Sequence, residues 1–143
     1  MVQDSEASFR QRLALGFLEE AKQDLELERW RSCVDNSQLA TENAAKAALA
    51  LLGPVGRTHQ PAILLRGALD EERFPANIAA DVADLTELAE LLGSDLHVQS
   101  DYGDEATGRT PWELFEQGDA QRCYGWAEQA VRLLERAIQG HSS

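Results

Sequence analysis

The sequence of 143 residues contains only two cysteines, Cys33 and Cys123, which are far apart and show no CxxC spacing. A disulfide framework is therefore not expected, and the spacing supplies no partners for a metal site. No run reaches the length of about 18 consecutive apolar residues that a membrane span needs. The first twenty residues carry charges throughout and lack the apolar run of a signal peptide, which favours a cytoplasmic protein.

Positive charge is also scarce, because 13 Lys and Arg face 25 Asp and Glu, for a formal net charge of −12. Non-specific binding along nucleic acid needs clustered Lys and Arg and is not expected. A small local basic site and a basic partner both remain open. The length suits one domain with a hydrophobic core, and we predict a single helical domain over 1–143 with its core at about 8–139.

No β-pattern of any length is present, and nearly all periodic segments have the helical period. The pattern predicts an all-α, up-and-down bundle of four to five helices. Main helices are expected over about 8–28, 32–52, 76–92 and 120–139, with shorter ones over 59–68 and after Pro111. In the first helix we expect an inward stripe of Phe9, Leu13, Phe17, Ala21 and Leu25. The segment 94–110, "SDLHVQSDYGDEATGRT", is predicted to be the longest irregular stretch.

The second helix carries small residues at most inward positions, within "QLATENAAKAALALLG". Small side chains let helix axes approach closely, which predicts the central helix of a bundle. Gln38, Glu42 and Lys46 follow one another at intervals of four along its edge. This ridge is compatible with a solvated helix edge and with the border of a groove that binds a partner or a ligand.

The stretch "LATENAAKAALALLG", followed by "THQPAILL", resembles the HEPN family, small helical domains of higher eukaryotes and prokaryotes linked to nucleotide binding. The resemblance covers roughly residues 8–138 and continues through "SDYGD", "TPWELF" and "GDAQRCYGWAEQA". The matching residues are Gln38, Ala40, Glu42, Ala44, Lys46, Ala47, Thr58 and His59. Asp101 and Gly103 stand where the family's loop has Arg and Pro. The resemblance then implies that a basic phosphate contact is lost or has moved to Arg109.

Many HEPN members are ribonucleases whose site is an Arg followed, after four to six residues, by a His. Arg57 and His59 have one residue between them. Arg136 and His141 have four, but they straddle Gly140 and are expected in a tail beyond the last helix. The sequence shows no Gly-rich phosphate loop, no catalytic triad and no metal-ligand cluster. We therefore expect a HEPN domain without catalytic residues, cofactor or metal.

The resemblance implies a nucleotide-binding and interaction module that forms homodimers and pairs with a minimal nucleotidyltransferase in a two-component, toxin–antitoxin-like system. The predicted groove residues are Gln38, Glu42, Lys46, Arg57, His59, Tyr102 and Arg109. One alternative is a ribonuclease toxin that uses Arg57–His59 or Arg136–His141. Another is a structural homodimeric bundle without a small ligand.

Overall fold

The computed structural model describes residues 2–142, except the side chains of residues 2–5, 94, 95 and 97. Within that range the chain forms seven helices and no strand, apart from one isolated bridge between Asp104 and Arg109. The all-α prediction is confirmed. The helices are α1 Val2–Glu26, α2 Trp30–Ala50, α3 Pro61–Asp70, α4 Ala76–Leu91, α5 Ser94–Tyr102, α6 Pro111–Leu114 and α7 Gln117–His141.

The four longest helices, α1, α2, α4 and α7, form the bundle. Helix α2 lies at its centre and packs against α1 and α7, while α7 also packs against α4. A tight turn joins α1 to α2, with Glu28 in a left-handed conformation and the Arg29 amide donating to the Asp24 carbonyl. In the described part of the chain, no helix combines the length and the hydropathy needed to cross a bilayer.

The alanines of α2 explain its central position. Six of them are fully buried and leave room for neighbouring helices to approach closely. Leucine would have held these helices farther apart. The prediction of a closely packed central helix is confirmed by the burial of Ala40, Ala44, Ala45, Ala47, Ala48 and Ala50.

The buried face of α1 differs from the predicted stripe. Phe9 is 50 % exposed and Ala21 is fully buried, although both belong to the predicted stripe, whereas Ala7 and Ala14, outside the stripe, are buried. Steps of four residues drift by about 40° each around an α-helix, while steps of seven drift by only about 20°. A stripe drawn in fours therefore runs from the exposed side at Phe9 into the core at Ala21, and the alanines spaced by seven mark the buried face.

The segment 94–110 is not the irregular stretch that the sequence predicted. It begins with α5, and Gly103 then leads into a turn closed by two backbone hydrogen bonds between Asp104 and Arg109, of 2.8 and 3.1 Å. The polar sequence of α5 shows no helical periodicity of apolar residues. Contacts with α2 stabilise this helix instead. The buried Ser100 hydroxyl donates to Asp35 over 3.1 Å, and the Ser100 carbonyl accepts from Arg31 over 2.9 Å.

Candidate functional site

Gln38, Glu42 and Lys46 form a ladder of polar contacts along α2. Gln38 Nε2 donates to Glu42 Oε1 over 3.3 Å, and Lys46 Nζ lies 3.2 Å from Glu42 Oε2. The side chains of Glu42 and Lys46 are only 12 % and 11 % exposed, and Gln38 is 2 % exposed. A solvated helix edge is therefore the wrong interpretation of this ridge. We call these three residues the polar ladder.

Two residues of the polar ladder, Gln38 and Glu42, line a cavity of about 430 Å³, which we call the groove. Gln38 and Glu42 come from α2, while the start of α3, the end of α4 and the start of α5 supply the other walls. Most of the groove's wall residues are apolar: Pro61, Ala62, Ile63, Ala89, Leu91, Leu92 and Leu96.

A second cavity of about 310 Å³ lies at Lys46, the last residue of the polar ladder, and we call it the basic cleft. Arg10, Lys46 and Arg57 line it, and His59 lines both the basic cleft and the groove. Arg57 is exposed and forms no salt bridge with any residue of the described chain. The two cavities therefore adjoin at His59, one mainly apolar and the other cationic.

The loop between α2 and α3 holds His59 at this junction. The Val55 amide donates to Glu6 of α1 over 3.3 Å, which ties the loop to the bundle. The Thr58 hydroxyl accepts from the Gln60 amide over 3.0 Å, and Pro61 then begins α3. The helix predicted over 59–68 therefore begins two residues later, and Thr58 stabilises the turn just before it.

Tyr102 and Arg109 line neither the groove nor the basic cleft. Tyr102 is 75 % exposed at the end of α5, and Arg109 donates to the Glu113 carbonyl over 2.9 Å. The structure thus brings together five of the seven predicted groove residues around two adjoining cavities. A ligand-binding role for Tyr102 and Arg109 stays a prediction.

A further surface lies near Tyr102. Trp112 is 73 % exposed, and the Arg31 guanidinium lies 5.4 Å from the centre of its ring. Gly103, which follows Tyr102, packs against Pro111, which precedes Trp112. We call Tyr102, Trp112 and Arg31 the aromatic surface. Such side chains are typical of protein interfaces.

Sequence reasoning missed Arg10 and the walls that α4 and α5 supply. Arg10 is one of several charged residues on α1, and only the packing of α1 beside the loop at 53–58 places it in the basic cleft. Glu90, at the edge of the groove, forms an exposed salt bridge of 2.7 Å with Arg66. No local signal in the sequence marks either residue.

Arg136 and His141 both lie on α7, which extends through His141. The expected position in a tail beyond the helix is wrong. The Arg136 guanidinium lies 3.1 Å from Asp81 of α4. Residues five apart on an α-helix point about 140° away from each other, so these two side chains do not converge within one chain.

The two cysteines are free and buried, and burial raises the pKa of each thiol to about 11. A thiol with so high a pKa is a poor nucleophile at neutral pH. Across the described residues, no group of His, Cys, Asp and Glu has the arrangement of a metal site.

A family model described as "HEPN domain" matches residues 7–137. The chain belongs to the HEPN domain family. Its fold is similar to the crystal structure of TT1696 from Thermus thermophilus, with a TM-score of 0.66 and 17 % sequence identity. That match covers 92 % of this HEPN domain and 97 % of the other chain, and it concerns the fold alone. No curated protein matches the sequence. Family membership supports a nucleotide-binding or ribonuclease-like module.

Proposed function

We propose that this HEPN domain is a non-catalytic nucleotide-binding module. The observation that carries the proposal is the polar ladder beneath the groove. Gln38 is almost fully buried, yet its Oε1 has no hydrogen-bond partner among the described residues. A buried polar atom left without a partner costs roughly 1–3 kcal/mol, and a ligand that satisfies it would recover this free energy.

The absence of catalysis is supported by the Arg136–His141 pair. Arg136 and His141 diverge on α7, and Arg136 is held by Asp81. A site that cleaves RNA needs one group to stabilise phosphate charge and a second to move a proton at the same atom. Two side chains that point apart do not supply this within one chain.

The partner that the family resemblance implies is a minimal nucleotidyltransferase in a two-component system of the cytoplasm. The aromatic surface suits its docking, since exposed Trp and Tyr beside Arg are frequent anchors of interfaces. Inspection of the neighbouring genes for a minimal nucleotidyltransferase, followed by gel filtration of this domain mixed with that protein, would test the pairing. We expect a joint peak that Trp112→Ala weakens; separate elution of the two wild-type proteins would contradict it.

Homodimer formation is a further part of the proposal. Ile63 and Leu91 are exposed on the walls of the groove, and Leu64, which follows Ile63 on α3, is exposed outside it. A second copy would cover these apolar side chains. Light scattering coupled to gel filtration should give twice the single-chain mass of 15.8 kDa, and Ile63→Asp should lower the measured mass towards that of one chain. A wild-type monomer at high protein concentration would refute the dimer.

Nucleotide binding itself is tested by thermal unfolding in the presence of ATP, GTP and their monophosphates. A ligand present at 100 times its dissociation constant adds roughly 2.7 kcal/mol to the free energy of unfolding. We therefore expect at least one nucleotide to raise the melting temperature. A melting temperature that stays constant across the whole series would contradict the proposal.

A ribonuclease that uses Arg57 and His59 is the second candidate, because both residues line the basic cleft with Arg10 and Lys46. Total RNA incubated with the wild type, His59→Ala and His141→Ala separates the two candidates. Cleavage that is lost only in His59→Ala would favour the ribonuclease. RNA that stays intact, or cleavage that neither variant changes, would exclude the ribonuclease and favour the non-catalytic nucleotide-binding module.

A further inference from the structure

The groove and the basic cleft differ in charge, and this difference constrains the ligand. The inference that follows rests on the proposed nucleotide binding and adds to it which chemical groups enter each cavity. Three features carry it: the free acceptor of Gln38, the acidic residues of the groove, and the cations of the basic cleft.

Glu42 fixes the orientation of the Gln38 side-chain amide. The Glu42 carboxylate accepts hydrogen bonds, so the amide must turn its NH2 group towards it, as the 3.3 Å contact shows. Oε1 then points away from Glu42, and no described residue donates to it. Gln38 lines the groove, so we take a donor seated in the groove as the group that would satisfy this buried acceptor.

The groove is unsuited to phosphate. Its carboxylates are Glu42 and Glu90, whose cationic partners Lys46 and Arg66 belong to the basic cleft and to the outer face of α3. An anion placed there would meet two carboxylates, and among the described residues that line the groove only His59 is basic. The apolar walls and the free acceptor suit a flat heterocycle that carries an N–H donor.

The basic cleft is suited to phosphate. Arg10, Lys46 and Arg57 line it. Arg10 lies 3.9 Å from Glu6 and Lys46 lies 3.2 Å from Glu42, whereas Arg57 has no salt bridge within the described chain and is the cation left for a phosphate. Lys46 follows Gln38 by eight residues, which is about 12 Å along an α-helix. One ligand molecule can reach both cavities past His59, with its base on one side and its phosphate on the other.

We infer that this site takes a nucleoside monophosphate whose base carries an exocyclic amino group, with that group donating to Gln38 Oε1 and the phosphate bound by Arg57 and Lys46. Adenine, cytosine and guanine nucleotides belong to this class, and uracil nucleotides do not. Binding energy then comes from two separable contacts, one to the base and one to the phosphate.

Calorimetric titration with three ligands tests the base contact without any variant. The ligands are AMP, purine riboside 5′-monophosphate, which lacks only the amino group, and adenosine, which lacks only the phosphate. We expect AMP to bind about tenfold or more tightly than the purine riboside monophosphate, because one buried acceptor loses its donor. We expect the same loss for adenosine.

Two variants assign the contacts. Gln38→Met removes the acceptor at similar size, and it should bind AMP and purine riboside monophosphate equally. Arg57→Ala, at an exposed position, should weaken the binding of AMP about tenfold and leave the affinity for adenosine unchanged. Arg132→Ala on α7 removes the same charge outside both cavities and should have no such effect.

The outcomes separate the inference from the proposed function. Equal wild-type affinity for AMP and purine riboside monophosphate would overturn the base contact while nucleotide binding stood. Equal effects of Arg57→Ala and Arg132→Ala would overturn the phosphate contact. If none of the three ligands bound, the inference would fall, and the proposed function would fall with it only if the melting temperature also stayed constant across ATP, GTP and their monophosphates.

Discussion

Glu42 is the residue on which the polar ladder depends, since it binds Gln38 with one carboxylate oxygen and Lys46 with the other. Its negative charge is nearly buried and is balanced by Lys46 alone among the described residues. Removing one partner of such a pair leaves the other charge without compensation, which is more costly than replacing both. The ladder therefore contributes to the stability of α2 as well as to the candidate site.

Lys46→Met should lower the free energy of unfolding by about 2–4 kcal/mol, because Glu42 is left buried without its cation. Urea unfolding followed by circular dichroism measures it. Arg122→Met is the matched control, since Arg122 and Asp119 form an exposed salt bridge of 2.7 Å. Arg122→Met should lower the free energy of unfolding by less than about 1 kcal/mol. Equal costs for the two variants would show that the ladder is not buried in solution.

The two thiols give a second prediction at this scale. Burial raises the pKa of Cys33 and Cys123 to about 11, so both stay protonated in the folded protein at pH 8. Labelling with a thiol reagent at that pH should be slow in buffer and fast in urea. The pKa of each thiol is higher in the folded protein than its ordinary value of 9.0 in the unfolded chain. The contribution of these thiols to the free energy of unfolding is therefore fully present below pH 9.0 and is lost as the pH rises through about 11.

Cys33→Ala and Cys123→Ala assign the two labelling rates to their residues. Rapid labelling of the native wild type at pH 8 would mean that the thiols are more accessible than the structure shows.

Among the segments, the link between α5 and α6 depends most on one residue. Gly103 has φ +79°, and a Cβ there would lie against the Arg109 carbonyl oxygen and 3.1 Å from the Pro111 ring. Gly108 also has a positive φ, of +71°, but no atom lies near its Cβ position. The two glycines therefore separate the cost of backbone conformation from the cost of a steric clash.

Gly108→Ala should cost about 1–2 kcal/mol, which is typical of a left-handed conformation for a residue with a Cβ. Gly103→Ala should cost clearly more, because the same strain is joined by the clash with Arg109 and Pro111. Thermal unfolding of both variants measures the difference. If Gly108→Ala were the more damaging, the described turn at 103–111 would be wrong.

The sequence predicts some segments well and others poorly, for physical reasons. Helices α2 and α4 match the prediction within two residues at each end, because their apolar spacing and the Gly and Pro at their ends are local signals. Helix α5 has no such local signal, since its contacts with Arg31 and Asp35 of α2 come from tertiary packing. The buried face of α1 was misjudged because alanine is a weak signal beside phenylalanine.

The sequence likewise predicts part of the candidate site and misses the rest. Gln38, Glu42 and Lys46 share one face of a helix, so their spacing alone predicts that they lie together. That they are buried follows from walls supplied by α3, α4 and α5, which no local pattern reveals. Arg10 reaches the basic cleft only because α1 packs beside the loop after α2.

At the scale of the whole molecule, the charge distribution accounts for the proposed ligand. The net charge of −12 opposes non-specific binding of nucleic acid, whereas a cleft lined by Arg57, which has no salt bridge within the described chain, and by Arg10 and Lys46 can still bind a single phosphate. The acidic surface and the basic cleft together favour a small nucleotide over a polynucleotide. The central claim is therefore local: a nucleotide binds where the groove and the basic cleft adjoin.

Titration of the isotopically labelled domain with AMP, followed by amide chemical shifts in NMR spectra, tests this claim most directly. The account predicts saturable shifts for residues 38–46, 57–63 and 89–93, with little change in the aromatic surface at Tyr102 and Trp112. Absence of shifts at millimolar AMP, or shifts confined to the aromatic surface, would contradict it.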